Sequence, residues 1–186
     1  MAATETIQIP LGFTAPNFKL LDPVSGEHKT LDELKSDKAT VIAFICNHCP
    51  FVKHIIQEFI DIANFYTPKG ISFIAINSND VAHYPEDNPE KMKEWAKSLN
   101  FPFSYLYDES QNIAMNYNAA CTPDFNIFNG NLRCVYRGRL DDSTPGNNIP
   151  VTGSDLRNAL DAILNGTEIN KEQFPSIGCG IKWKSQ

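Results

Sequence analysis

The strongest constraint on this chain is a strand–helix–strand alternation between residues 39 and 76, with two cysteines at its first corner. Ala39 to Ile45 is apolar and β-branched with no polar alternation, the pattern of a strand covered on both faces. After the cysteines, apolar residues at 51, 52, 55, 56, 59, 60, 62, 63 and 66 keep helical spacing until Pro68-Lys69-Gly70 closes the helix. Ile71 to Ile76 then reads as a second buried strand. Links this short predict parallel strands joined by a right-handed crossover.

Other elements extend this unit. Phe18 to Leu21 and His28 to Leu31 flank the turn-rich Asp22-Pro23-Val24-Ser25-Gly26 and predict a hairpin, followed by a helical turn at 31–34. Pro89 to Leu99 predicts a helix with proline at its start, Tyr105 to Asp108 a short strand, and Gln111 to Tyr117 a short helix. Phe125 to Phe128 and Leu132 to Tyr136, around Asn129-Gly130, predict a second hairpin. Ser154 to Leu164 predicts an amphipathic helix with a serine cap, closed by Asn165-Gly166. This order predicts an α/β fold with a central mixed sheet flanked by helices. The 186 residues suit a single domain: an N-terminal hairpin extension over 1–38, a core over 39–166 and a C-terminal tail over 167–186.

Charge narrows the partners. A formal net charge of −6 lacks the basic footprint of a nucleic-acid binder. No apolar run approaches the roughly 20 residues that span a bilayer, and Met-Ala-Ala-Thr-Glu-Thr does not resemble a secretory leader. Five cysteines, at 46, 49, 121, 134 and 179, are odd in number and unevenly spaced, unlike a stapled secreted framework. A reducing, cytoplasmic setting is therefore expected, where a close pair is redox-active or metal-binding.

Cys46-Asn47-His48-Cys49 is that pair, placed where a buried strand meets a helix. The spacing puts both Cβ atoms on one face, within reach of a disulfide, and turns the first thiol toward the free amides of the helix start. The helix dipole supplies only about 0.3–1 kcal/mol, less than one pKa unit. Further lowering has to come from the Cys49 thiol, backbone N–H groups or His48. Pro50 leaves the register open. It is the ideal first helical residue if Cys49 is the cap, and it deletes an intrahelical bond if Cys46 is.

These residues resemble the thioredoxin-like superfamily, and more narrowly its peroxiredoxin-like branch, the alkyl hydroperoxide reductase/thiol-specific antioxidant family. The resemblance spans nearly the whole chain. It rests on the strand ending in Cys46, on Cys49-Pro50, and on Thr122-Pro123 before a hairpin strand. Asn77-Ser78-Asn79-Asp80, Tyr84-Pro85-Glu86-Asp87, Arg137-Gly138-Arg139-Leu140-Asp141-Asp142 and the tail from Ser176 to Trp183 look like an uncharacterised subgroup. The resemblance implies a thioredoxin-like fold, with Cys46 attacking, Cys49 resolving, and Pro123 a cis-proline presenting Thr122 as an edge for an extended substrate. Two departures bear on the reaction. Thr40 stands where thioredoxins keep a buried acid, and Ile42 and Cys46 stand where peroxiredoxins keep proline and threonine. A thiol–disulfide oxidoreductase is thus expected over a thiol peroxidase, with a pair less reducing than thioredoxin.

No cofactor is implied, since the sulfurs carry the electrons. The expected partners are a protein or small-molecule disulfide and a thioredoxin or glutathione recycling system. Asn47 and His48 are candidate supporting residues, as are Cys121 close to Pro123 and the loop residues Asn79, Asp80 and Tyr84. Cys134 is expected in the core, Cys179 as a tail thiol, either inert or a mobile resolving cysteine, and His54 on the surface. Arg137 and Arg139 either stabilise a thiolate or pair with Asp141 or Asp142. A metal-delivery protein using Cys46, Cys49 and His48 or His83 is the alternative of a different class.

Overall fold

A computed structural model describes residues 3–185. Its strands are β1 (Ala3–Glu5), β2 (Lys19–Asp22), β3 (Glu27–Thr30), β4 (Ala39–Phe44), β5 (Ile71–Asn77), β6 (Ser104–Tyr107), β7 (Cys121–Thr122), β8 (Asp124–Asn129), β9 (Cys134–Gly138) and β10 (Ile177–Gly180). Its α-helices are α1 (Leu31–Leu34), α2 (Pro50–Tyr66), α3 (Pro89–Ser98), α4 (Asn112–Asn116) and α5 (Ser154–Asn165).

Seven strands form one mixed sheet in the order β3-β2-β6-β5-β4-β8-β9. β4 lies between β5, parallel to it from Ala39↔Ile71 to Phe44↔Ile76, and β8, antiparallel from Ala39↔Asn129 to Phe44↔Asp124. The apolar run of β4 is thus explained, since all six of its residues are buried. Alternate side chains divide two cores. Val41 and Ala43 meet α2, α3 and α5 on one face, while Ile42 and Phe44 meet α4, Leu31 and the N-terminal segment on the other. The N-terminal hairpin joins the same sheet through β2 and β6 at Leu21↔Tyr107.

The spacing seen in the sequence gives α2 its buried stripe of Val52, Ile55, Ile56, Phe59, Ile60, Ile62, Ala63 and Tyr66. Phe59 anchors it, with its ring 5.0 Å from Phe103 and 5.3 Å from Phe125. Burial of each such large side chain contributes about 1.5–3 kcal/mol. The helix runs into a 3₁₀ turn at Thr67–Lys69 and stops at Gly70, whose φ of +91° a glycine takes without strain.

Two local expectations are corrected. Gly153, not a serine, precedes the first turn of α5, and Ser154 is already helical without a side-chain cap. The second hairpin resumes at Cys134 instead of Leu132. Asn129 Oδ1 accepts the Asn131 and Arg133 amides at 3.0 Å each and holds a longer loop. The C-terminal tail over 167–186 carries the last strand. β10 is the middle strand of a second sheet, β1-β10-β7, antiparallel to both neighbours.

Candidate active site

Cys49 is the residue that caps α2, and Pro50 takes its first helical position. This settles the register that the sequence left open. The helix N-terminus therefore lies at Cys49 and not at Cys46. Proline lacks the N–H that would be orphaned there, and the chain loses no bond.

Both thiols are buried and face the cis peptide Thr122-Pro123. Cys46 Sγ lies 3.3 Å from Thr122 Oγ1, and Cys49 Sγ lies 3.2 Å from the Thr122 carbonyl oxygen, to which its protonated form donates. Their electrostatics differ in sign. Burial pushes the Cys46 thiol well up, and its hydrogen bond to Cys49 and the charge of Asp87 add to this. Cys49 is pulled down to about 5, first by the Cys46 thiol and further by the Cys179 thiol and the Val52 and Cys179 amides, against its own burial. The arrangement therefore favours a thiolate at Cys49 and a thiol at Cys46. That is the reverse of the polarity expected from the position of the first cysteine.

The loop after β5 completes the site. Because β5 runs parallel to β4, its loop leaves the sheet on the same edge as the cysteines. The loop is polar yet mostly packed away, with Ser78, Asn79, Asp80 and Asp87 all buried. Asp87 is its centre. Its carboxylate accepts the Asn47 amide at 2.7 Å, His48 Nδ1–H at 2.6 Å and Asn79 Nδ2–H at 2.8 Å. These donors hold it ionised below the usual carboxylate range despite its burial. The Asp87 hydrogen bond in turn raises His48. The His48 ring stacks on Tyr84 at 5.1 Å, and its buried Nε2 has no hydrogen-bond partner among the described residues. Asn47 is tied down by Tyr105, whose hydroxyl donates to Asn47 Oδ1 at 2.9 Å.

Asp87 was not singled out from the sequence, although the Tyr84-Pro85-Glu86-Asp87 segment was. The usable signal was a loop following a strand parallel to the cysteine-bearing one. Thr40, at the position of the missing thioredoxin acid, is buried and accepts the Ser36 amide and the Ser72 hydroxyl. A carboxylate reaches the pair from another part of the chain.

Other candidates separate cleanly. Cys121 and Cys134 are buried, and burial pushes both thiols up to about 12. Arg137 is enclosed, donating to Asn126 Oδ1, to the Ile7, Tyr117 and Asn118 carbonyls and to Asp124, while Arg139 pairs with Asp155 at 2.6 Å. Neither pairs with Asp141 or Asp142. His54 is half-buried against Ser143 Oγ at 2.7 Å, not a free surface residue. Asp80 binds His83, leaving Cys46, His48 and Asp87 as the described group with potential ligand atoms within 4.8 Å of one another. Cys49 and His83 are outside it, so the metal-ligand set offered by the sequence is not assembled. A cavity of about 230 Å³ opens beside Pro123, between Phe51, Ile55, Ser143 and Ile177.

The chain is 58% identical to an uncharacterized conserved protein of Geobacillus kaustophilus, covering 100% of this chain and 98% of that one with a TM-score of 0.98. It is 44% identical to a hypothetical protein of Sinorhizobium meliloti, covering 98% and 100% of the two chains with a TM-score of 0.96. A secreted disulfide oxidoreductase of Mycobacterium tuberculosis, 18% identical over 78% of this chain and 95% of that one, shares the thioredoxin-like fold with a TM-score of 0.58. No curated protein matches. The AhpC/TSA family model matches residues 11–137, which hold the cysteine pair, the Asp87 loop and cis-Pro123, and the chain thus belongs to the AhpC/TSA family.

Proposed function

We propose that the chain is a thiol–disulfide oxidoreductase whose centre is the Cys46/Cys49 pair, with Cys49 the attacking thiolate and Cys46 the resolving thiol. At the coarse level, membership of its family makes the chain a thiol-based oxidoreductase. One observation supports the finer reading most. Two buried thiols share Thr122, and only Cys49 sits on the helix N-terminus with its pKa drawn down to about 5. Cys49 thiolate attacks a disulfide R–S–S–R′, forming Cys49–S–S–R and releasing R′S⁻. Cys46 then attacks the Cys49 sulfur, expels RS⁻ and leaves the intramolecular disulfide. Its proton passes to the adjacent His48–Asp87 pair, where His48 Nε2 is free to accept it when the ring is neutral.

The roles of the two cysteines are thereby exchanged relative to the sequence expectation, in which Cys46 attacks. The test is adduct formation with a small disulfide. Cys49→Ser is expected to form no mixed disulfide at the pair, while Cys46→Ser still reacts at position 49. Equal reaction of wild type and Cys49→Ser at the pair refutes the assignment. Recycling by a thioredoxin or glutathione system in a cytoplasmic setting is part of the same proposal.

Peroxide reduction is a second reading, favoured by the lowered pKa of Cys49 alone. Cys49 thiolate would take one peroxide oxygen as a sulfenic acid, and Cys46 would condense with it and release water. Cys46 replaces the threonine hydroxyl that peroxiredoxins use, so disulfide exchange remains the first reading. Peroxide consumption by wild type that Cys49→Ser abolishes would establish the second.

A further inference from the structure

β7 ends at Thr122, the residue that touches both thiols and precedes cis-Pro123. An extended, disulfide-bearing segment would add to this edge as a strand, its backbone paired with Thr122. In this fold the edge is already taken. β10, from the tail of the same chain, lies antiparallel on β7 with Cys179 opposite Thr122 and Gly180 opposite Cys121.

The seat is shaped for this strand. A Cβ at Gly178 would overlap the Thr122 carbonyl oxygen and press within 3.1 Å of the Pro123 ring, so only glycine lets the tail approach this closely. Bonds on either side hold the register. The Thr6 amide donates to Ser176 O at 2.9 Å, Ser176 Oγ to Gly138 O at 2.7 Å, and the Ile181 amide to Ala120 O at 3.0 Å. Further on, the Lys182 amide donates to Asn79 Oδ1 at 2.8 Å, and the Asp80 amide to Lys182 O at 2.8 Å. Between these anchors Cys179 is only 4% exposed and belongs to the same buried cluster as Cys46 and Cys49. Its thiol and its amide both lie on the Cys49 side and favour the Cys49 thiolate. Cys49 thus stands between two protonated thiols, Cys46 and Cys179, where a simple dithiol site has one.

We propose that residues 177–180 act as a built-in substrate segment and that Cys179 is a third redox cysteine, able to resolve a mixed disulfide on Cys49. The inference rests on the reading of Cys49 as the attacking thiolate. In the added step the Cys179 sulfur bonds to Cys49 Sγ and the Cys49–S–R bond breaks. The electron pair and the Cys179 proton leave with the departing thiol: Cys49–S–S–R + Cys179–SH gives Cys49–S–S–Cys179 + RSH. The only oxidant is the disulfide that formed the adduct. The product locks the tail covalently onto the β7 edge that it already occupies in the reduced chain.

The experiment uses full-length Cys46→Ser protein, treated natively with oxidised glutathione, acid-quenched, alkylated and mapped by mass spectrometry. The glutathione adduct on Cys49 is expected to be transient and to be replaced by a Cys49–Cys179 linkage. Cys46→Ser/Cys179→Ser should retain the adduct. Adduct persisting equally in both variants overturns the inference while leaving Cys49 as the attacking thiolate. Wild-type protein supplies a second measurement free of any substitution. Its oxidised form should yield Cys49–Cys179 fragments alongside Cys46–Cys49 fragments, and their absence counts against the inference. If wild type gives neither adduct nor any disulfide at Cys49, the proposed function fails, and the inference fails with it.

Discussion

The polarity of the cysteine pair makes a quantitative prediction for the pH dependence of its reduction potential. The perturbation is pH itself, and the relevant quantity is the number of protons taken up on reduction. Cys46 is held as a thiol by burial, and Cys49 ionises at about 5 where an ordinary cysteine stands at 9.0. Above about pH 5 the reduced pair therefore carries one thiol and one thiolate, so two electrons bring in one proton. The potential should fall by about 30 mV per pH unit, since tenfold in a two-electron equilibrium is about 30 mV. Below about pH 5 Cys49 is protonated as well, two protons enter, and the slope doubles to about 60 mV. At pH 7 the thiolate stabilises the reduced form by about 3 kcal/mol relative to an unperturbed thiol, which makes the pair about 60 mV more oxidising. Equilibration against a thiol–disulfide buffer at stepped pH, with the redox state read by alkylation and mass, measures both. His48, raised by Asp87 and to a smaller extent by the Cys49 charge, adds a proton over a limited window, and His48→Gln removes that bend. A slope near 60 mV per unit from pH 6 to pH 8 in both proteins would refute the assignment of the thiolate to Cys49.

Two other substitutions probe the framework. Asp87→Asn removes the hydrogen bond that is the largest cause of the raised His48 value, together with its charge, and leaves burial and Lys182 lowering it against the smaller pull of Cys49. The imidazole should then titrate below its ordinary 6.5, measured by nuclear magnetic resonance, and an unchanged His48 value would contradict the network. Arg137→Met removes the cation from the buried Arg137–Asp124 pair, leaving Asp124, which burial already pushes up to about 6, without its counter-charge. The cost should be about 3–5 kcal/mol in urea unfolding at neutral pH. It should shrink as pH falls through Asp124's raised value, because protonation removes the unpaired charge. A loss below about 1 kcal/mol would mean that the ion pair with Asp124 contributes little to stability.

Where a stretch of chain carries its own periodicity, the sequence was legible. The doubly buried run at 39–45, the stripe from 51 to 66 and the second run at 71–76 impose the βαβ unit, because strand and helix periods place the same residues on incompatible faces. The closeness of Cys46 to Cys49 and their nearness to Thr122-Pro123 belong to the same readable layer, the second through family resemblance. What escaped are features set by neighbours distant in the sequence. Asp87 looks like a loop acid until parallel strands bring its loop onto the cysteine edge, and there buried donors from Asn47, His48 and Asn79 keep its charge. Cys179 looks like a tail thiol until Gly178 lets β10 close on Thr122. The sequence by itself thus determined the fold and the two sulfurs, since both follow from short-range pattern and spacing. Only the tertiary structure showed what lies against each sulfur, and so which of the two it favours as the thiolate. Ionisation depends on burial and on donors within a few ångströms, and for Cys49 those donors come from residues 46, 52 and 179 at once.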